Sequence, residues 1–197
     1  TLALGGITFG VRNIELNAAF STIANGGKYI VPRLYSRVTR VTESKEPGDT
    51  GKEVQTEQLL LDNTDPEKER VLQKTTCWLL TNAMKDVLTK GTGMPANFTS
   101  TAIAGKTGTT EESNDVWFAG FSTNYTATVW AGYDNNTKLS KDEETLAMTI
   151  WRQIMSNIPA NQKFTDFEQP SGLTTAYICR DTGLLAVDKY CKNTYNE

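Results

Sequence analysis

Histidine is absent from the 197 residues. That removes Ser-His-Asp and Cys-His catalysis built from this chain alone, and every metal site that needs an imidazole ligand. A basic surplus is missing too. Twenty Lys and Arg against 23 Asp and Glu leave a net charge of -3, which speaks against a nucleic-acid partner. No apolar run approaches the roughly 18–20 residues of a membrane span. Cysteine is scarce, and its three copies form no C-x-x-C pair. Nothing in the sequence calls for a metal or another cofactor. What remains is the composition of an ordinary folded domain, 38% hydrophobic and 22% charged, long enough to bury a full core. The opening Thr1-Leu2-Ala3-Leu4-Gly5-Gly6 reads as the interior of a longer protein.

The cysteines that are present divide in two. Cys77 stands beside Trp78, Leu79 and Leu80 and reads as a buried core thiol. Cys179 and Cys191 bracket an eleven-residue loop containing Thr182-Gly183. A bridge in an oxidising compartment and two unpaired thiols are both open readings of that pair.

Periodicity supplies the elements. Leu16, Ala19, Phe20 and Ile23 mark a helix over 13–25, with Asn13 as its N-cap and Gly26-Gly27 as its stop. Short strands follow over Lys28–Pro32 and Leu34–Val41. Residues 42–65 read as a mobile excursion with room for a hairpin through Val54 to Leu61, and Asp65-Pro66 as the cap of a helical turn. A second helix spans 75–89, its stripe of Leu79, Leu80, Ala83, Met84, Val87 and Leu88 facing the core, with Gly91 ending it. Strands at the Lys106 stretch, at 116–121 and at 127–133 are joined by short loops, as in an antiparallel meander. A third helix over 142–156 presents Leu146, Ile150 and Ile154 on one face. The fold class is therefore α+β, an antiparallel sheet flanked by helices. Residues 1–160 form its body, and 161–197 a loop-rich tail.

Chemistry concentrates in Ala104-Gly105-Lys106-Thr107-Gly108-Thr109-Thr110. One cation, three hydroxyls and two glycines follow a β-favouring run, so a backbone free of Cβ atoms can approach a ligand while Lys106 offers charge to a carboxylate or phosphate. Alone, a K-T-G is equally a surface turn.

Its surroundings decide. Ala24-Asn25-Gly26-Gly27, Gly91-Thr92-Gly93, Lys106-Thr107-Gly108, Asp115-Val116-Trp117-Phe118-Ala119-Gly120 and Val129-Trp130-Ala131-Gly132-Tyr133-Asp134 together resemble the transpeptidase domain of penicillin-binding proteins, in particular the bifunctional, class A type. The resemblance covers about residues 1–155, with Leu4-Gly5-Gly6 and Phe9-Gly10-Val11 at its start. It implies a β-lactamase/transpeptidase-like fold and a D,D-transpeptidase that cross-links peptidoglycan stem peptides by serine acyl transfer and is acylated by β-lactams. On the matching positions it implies that Lys106, Thr107, Gly108 and Thr109 bind substrate. Lys106 is then also catalytic, and the Thr109 backbone N–H is half of an oxyanion hole.

The chain departs from the family at one decisive place. No S-x-x-K occurs, so the nucleophile is absent, and Ser122-Thr123-Asn124 and Tyr133-Asp134-Asn135 follow K-T-G where the family's S-x-N precedes it. Both read as turns, and Glu111 and Glu112 as solvated loop residues. Trp117 reads as core, with a place in the cleft wall as the other reading. The chain is thus expected to be the C-terminal part of the domain, inactive alone and completed by a missing N-terminal part of the same protein. The resemblance places the whole on the extracytoplasmic face of the bacterial cytoplasmic membrane, with its anchor outside this chain. The other reading is a catalytically inactive peptidoglycan- or protein-binding module of the same fold.

Overall fold

The computed structural model describes residues 7, 10–45, 53–158, 165–187, 190–191 and 194–196. Leu4-Gly5-Gly6, Phe9, the turn residues 46–49 and Pro159 fall outside them. The chain divides into two compact units, Thr1–Phe167 and Glu168–Glu197.

Helix α1 (Asn13–Ala24) is capped one residue earlier than expected. Arg12 is the N-cap, and its N–H donates to Glu15 Oε2 at 2.8 Å, half of a capping box. Asn13 is instead the first helical residue and accepts from the Thr128 hydroxyl, which ties the helix to the sheet. Gly26 and Gly27 end the helix at φ +61° and +91°. A side chain at Gly27 is also excluded by space, because its Cβ would lie 2.0 Å from the Leu72 carbonyl oxygen. That contact lets the Val71 and Leu72 N–H groups bond Gly27 O at 2.9 and 3.2 Å.

Strand β1 (Lys28–Ile30) pairs antiparallel with β4 (Lys68–Arg70). The helical turn expected after Asp65-Pro66 is therefore not formed. The edge of β1 offers residues 68–70 backbone partners that a solitary turn could not match. Between them β2 (Arg37–Lys45) and β3 (Glu53–Asp62) form a long antiparallel hairpin with a bulge at Val38/Thr39. The described residues of 42–65 are thus mostly regular strand, and pairing begins before them, at Arg37. Their alternating Thr, Val and charged residues suit a two-stranded ribbon exposed on both faces.

The body is a three-stranded antiparallel meander in the order β5-β6-β7 (Ile103–Thr109, Asp115–Ser122, Thr126–Gly132). Helix α3 (Leu146–Ser156) packs on one face and α1 on the other. Helix α2 (Lys74–Thr89) runs beside β5 and sends Leu88 into one core cluster and Met84 into the other. The larger cluster packs Ile103, Val116 and Phe118 against Trp151 and Met148. The smaller joins Ala104 and Phe121 to Met84, with Phe20, Ile23 and Phe167 around them. Expected α+β architecture and meander are what these strands and helices form.

Two helical faces differ from expectation. In α2 the buried residues are Cys77, Thr81, Met84 and Leu88, while Leu79 and Leu80 are 53% and 42% exposed. In α3, Ala147, Met148, Trp151 and Met155 are buried, and Leu146 and Ile154 face solvent. Each helix carries two apolar stripes, and the one holding the aromatic or thioether side chains fills the space beside the sheet.

The tail unit is built on β8 (Tyr177–Cys179), paired antiparallel with β9 (Thr194–Asn196).

Candidate active site

Strand β5 carries the whole Lys106–Thr109 motif, so the strand expected at the Lys106 stretch forms and runs on through Thr109. Gly105 opposes Gly120 across the β5–β6 ladder. Neither position has room for a side chain. A Cβ at 105 would meet the Phe118 ring at 2.7 Å, and one at 120 the Trp151 ring at 2.8 Å. Those two rings meet edge to face at 4.9 Å and floor the motif from below.

Register fixes which way the motif points. Ile103, Thr107 and Thr109 share the Phe118 face, while Lys106 and Gly108 lie opposite Ala119 and Trp117 on the other. The Thr110 N–H bonds Asp115 O at 3.1 Å, back toward β6. Antiparallel alternation then turns the Thr109 N–H away from β6, toward the outer edge of the sheet. Among the described residues β5 has no second strand partner. A donor on that edge is placed to meet an extended ligand rather than the sheet's own backbone.

Lys106 and Thr109 are both exposed. The Lys106 ammonium donates to Thr107 O at 2.9 Å and lies 3.2 Å from Thr107 Oγ1. The Thr107 hydroxyl in turn lies 2.7 Å from that of Thr92. A chain of polar contacts therefore runs from the loop after α2, through Thr107, to the cation. Sequence reasoning took Gly91-Thr92-Gly93 only as the loop that closes the helix. Thr92 is the residue it missed.

The β5–β6 connection is held by Asp115. Its N–H donates to Thr110 Oγ1 at 2.9 Å, and its Oδ1 accepts from Trp130 Nε1 at 2.9 Å. Glu111 and Glu112 lie exposed in a 3-10 turn over Glu111–Ser113, as read from the sequence, and Glu112 and Ser113 both adopt positive φ. Trp117 is neither core nor free. It is half-buried on the Lys106 face, its ring 6.4 Å from that of Trp130. Ser122-Thr123-Asn124 forms the β6–β7 turn, with the Ser122 hydroxyl accepting from the Asn124 and Tyr125 N–H groups. The Tyr133-Asp134-Asn135 stretch is also a turn. Tyr133 donates to Glu143 at 2.6 Å. That bond, helped by Ser140, holds the Glu143 carboxyl below its ordinary range and raises the phenol.

Among the described residues no group of three Cys, Asp or Glu side chains is arranged to hold a metal ion. No helix among them is long and apolar enough to cross a membrane. A cavity of about 410 Å³ opens by Asn25, Lys28 and Ser122, near the end of the sheet away from Thr109.

Comparison with known proteins gives this arrangement its family. A family model of the penicillin binding protein transpeptidase domain matches residues 2–156. Penicillin-binding protein 2D of Bacillus subtilis is 35% identical over 192 residues, which cover 93% of this chain and 25% of that protein. Penicillin-binding protein 1A of Clostridium acetobutylicum is 34% identical over 174 residues, covering 88% of this chain and 19% of that one. The chain thus spans a quarter or less of these relatives' lengths. The crystal structure of penicillin-binding protein 1A from Haemophilus influenzae aligns with a TM-score of 0.69 at 21% identity, over 94% of this chain and 32% of that one. A D,D-transpeptidase domain from Eggerthella lenta aligns at 0.51 and 21% identity, over 71% of this chain and 30% of the other. At such identities the two structures speak for the fold, and the family rests on the match that runs through most of the sequence. With its K-T-G strand, helices and meander all inside that match, the chain belongs to the penicillin-binding protein transpeptidase domain family.

Proposed function

We propose that this chain supplies the K-T-G wall of a D,D-transpeptidase that cross-links peptidoglycan stem peptides and is acylated by β-lactams. The reaction is serine acyl transfer at the outer face of the bacterial cytoplasmic membrane. The observation that carries the reading is the outer edge of β5, where a cation, hydroxyls and an outward Thr109 N–H lie within four residues of strand. A stem peptide ending in D-Ala-D-Ala lies along that edge as an added strand. Lys106 sets positive potential at its terminal carboxylate, and Thr107 and Gly108 line the approach. The Thr109 hydroxyl bonds the carboxylate, and its N–H faces the scissile carbonyl oxygen as half of an oxyanion hole.

The nucleophile comes from outside this chain, since no S-x-x-K is present. A serine there attacks the carbonyl, the last D-Ala leaves, and a neighbouring strand's amine takes the acyl group. Without histidine, proton transfer falls to lysine and serine side chains.

The test uses a fluorescent penicillin against this 197-residue polypeptide and against the complete protein. The expected result is covalent label on the complete protein and none on the polypeptide. Label retained by the polypeptide alone would refute an external nucleophile. The absence of S-x-x-K also favours a second reading, a catalytically inactive peptidoglycan- or protein-binding module. A complete protein that takes no label, and whose reading frame lacks S-x-x-K followed by S-x-N, decides for the module.

A further inference from the structure

Among its described residues, the tail unit, 168–197, has almost no core of its own. Tyr177, Leu184, Leu185, Val187 and Tyr190 are all largely exposed, Leu184 at 70% and Tyr190 at 76%. Cys179 is the exception at 3%. It sits where the unit is most tightly knit. Its N–H bonds Leu184 O at 2.8 Å, and its carbonyl takes the Gly183 N–H at 2.8 Å. On its other side it pairs with Thr194 of β9. The turn that follows folds Cys191 back. Its N–H bonds Val187 O at 2.9 Å, and the Val187 N–H bonds the Cys191 sulfur at 3.4 Å. The two free thiols are thereby folded close enough for each to shift the other's titration.

The two thiols are also electronically unlike. The Thr182 hydroxyl, then the Cys191 thiol, hold Cys179 below the ordinary thiol range. Cys191 is shifted upward: the Val187 N–H opposes the shift, but the Cys179 sulfur and burial outweigh it. A more acidic thiol against a second one is the arrangement in which exchange with an outside disulfide proceeds readily. A metal is a poor alternative occupant, because among the described residues no third donor joins the pair.

The geometry points to Cys179 and Cys191 as a disulfide staple that holds the tail unit together in place of a hydrophobic core. A module this small with its large side chains in water needs such a cross-link. The oxidant is a small-molecule or protein disulfide. The Cys191 thiolate, the more accessible of the two, attacks one of its sulfurs, a mixed disulfide forms, and one thiolate leaves. The more acidic Cys179 thiolate then attacks the Cys191 sulfur and expels the second. Two protein thiols lose two protons and two electrons, and the oxidant becomes two thiols. The inference stands apart from the transpeptidase reading, since it concerns the other unit and the test supplies its own oxidant.

The native chain is equilibrated with oxidised and reduced glutathione, alkylated, and digested with trypsin without reduction. The expected map links peptide 164–180 to peptide 190–192, with a mass two hydrogens lower than the separate pair, while Cys77 in peptide 75–85 stays a thiol. Reduction separates the pair, and Cys191→Ser leaves Cys179 open to alkylation. Thermolysin should cut the Leu184–Tyr190 segment about tenfold more slowly in the oxidised chain. Full alkylation of both thiols after oxidation, or a bridge that includes Cys77, overturns the pairing. Equal cleavage rates with the bridge formed overturn its role as a staple.

Discussion

Lys106 and Thr92 differ in how directly they meet substrate, and kinetics of the complete protein should separate them. Lys106→Met removes the charge proposed to face the carboxylate and is expected to slow penicillin acylation by about 10²–10³-fold. The Thr92 hydroxyl bonds that of Thr107, so it acts through Thr107 as a positioning residue. Thr92→Val deletes one hydroxyl pair, worth about 1 kcal/mol, and should slow acylation roughly fivefold through the acylation step rather than through stability. Thr92→Ser should restore the rate with an unchanged melting temperature. A stopped-flow series with a chromogenic β-lactam checks all three, and a Thr92→Ser rate as low as that of Thr92→Val would remove the hydroxyl link. Lys106 through Thr109 could be read in advance because they are consecutive. The Thr92 contact could not, because its partner lies fifteen positions away and a pair of hydroxyls leaves no periodic trace. Trp117 was ambiguous for another reason. A ring on a strand tells that it is covered, and only the register with Trp130 tells by what.

At the scale of elements, the meander strands were legible, β4 and most of the β2–β3 ribbon were not, and helix faces were only partly so. Alternation places Ala127, Val129 and Ala131 together on one face of β7, and they do pack on the larger core cluster. In α2 and α3 two stripes compete, and choosing between them needs the shape of the sheet beneath. Trp151 fills that space completely and donates its Nε1–H to Ala127 O at 3.0 Å. Trp151→Ala should therefore cost about 3–5 kcal/mol, read from urea denaturation. Gly105→Ala forces a methyl toward the Phe118 ring and the Ala119 carbonyl and should cost about 1–3 kcal/mol by the same measurement. The segment after α3 is held by an ion pair, Lys85 to Asp166 at 2.9 Å, and by Phe167 edge-on to Phe121. Lys85 and the Phe167 N–H hold the Asp166 carboxyl below the ordinary carboxylate range. A lowered folded pKa stabilises above the unfolded value, and that stability is lost as pH falls through the folded one. Asp166→Asn should thus lower the stability slightly near neutrality, by about 0.5 kcal/mol for a solvent-screened pair. The difference from the parent chain should vanish in strong acid, and a constant difference across that range would discount the ion pair.

For the molecule as a whole, the stripes that the sheet leaves uncovered matter as much as those it buries. Leu79 and Leu80 on α2 and Leu146 and Ile154 on α3 are apolar and wet. Replacing Leu79 and Ile154 by Lys should raise the concentration at which the isolated chain stays monodisperse in sedimentation, with stability unchanged to about 0.5 kcal/mol. The paired glycines beneath the K-T-G strand have a consequence of a different kind. A library of β5 variants scored only for folding should prove intolerant at 105 and, across the ladder, at 120, and permissive at 106 and 109. Scored for acylation, the same library should turn against 106 and 109. Natural selection acts through both filters at once. On the proposed function, drift on this strand is confined from below by two aromatic rings and from above by the substrate, so a variant that escapes a β-lactam is expected beside the strand rather than on it.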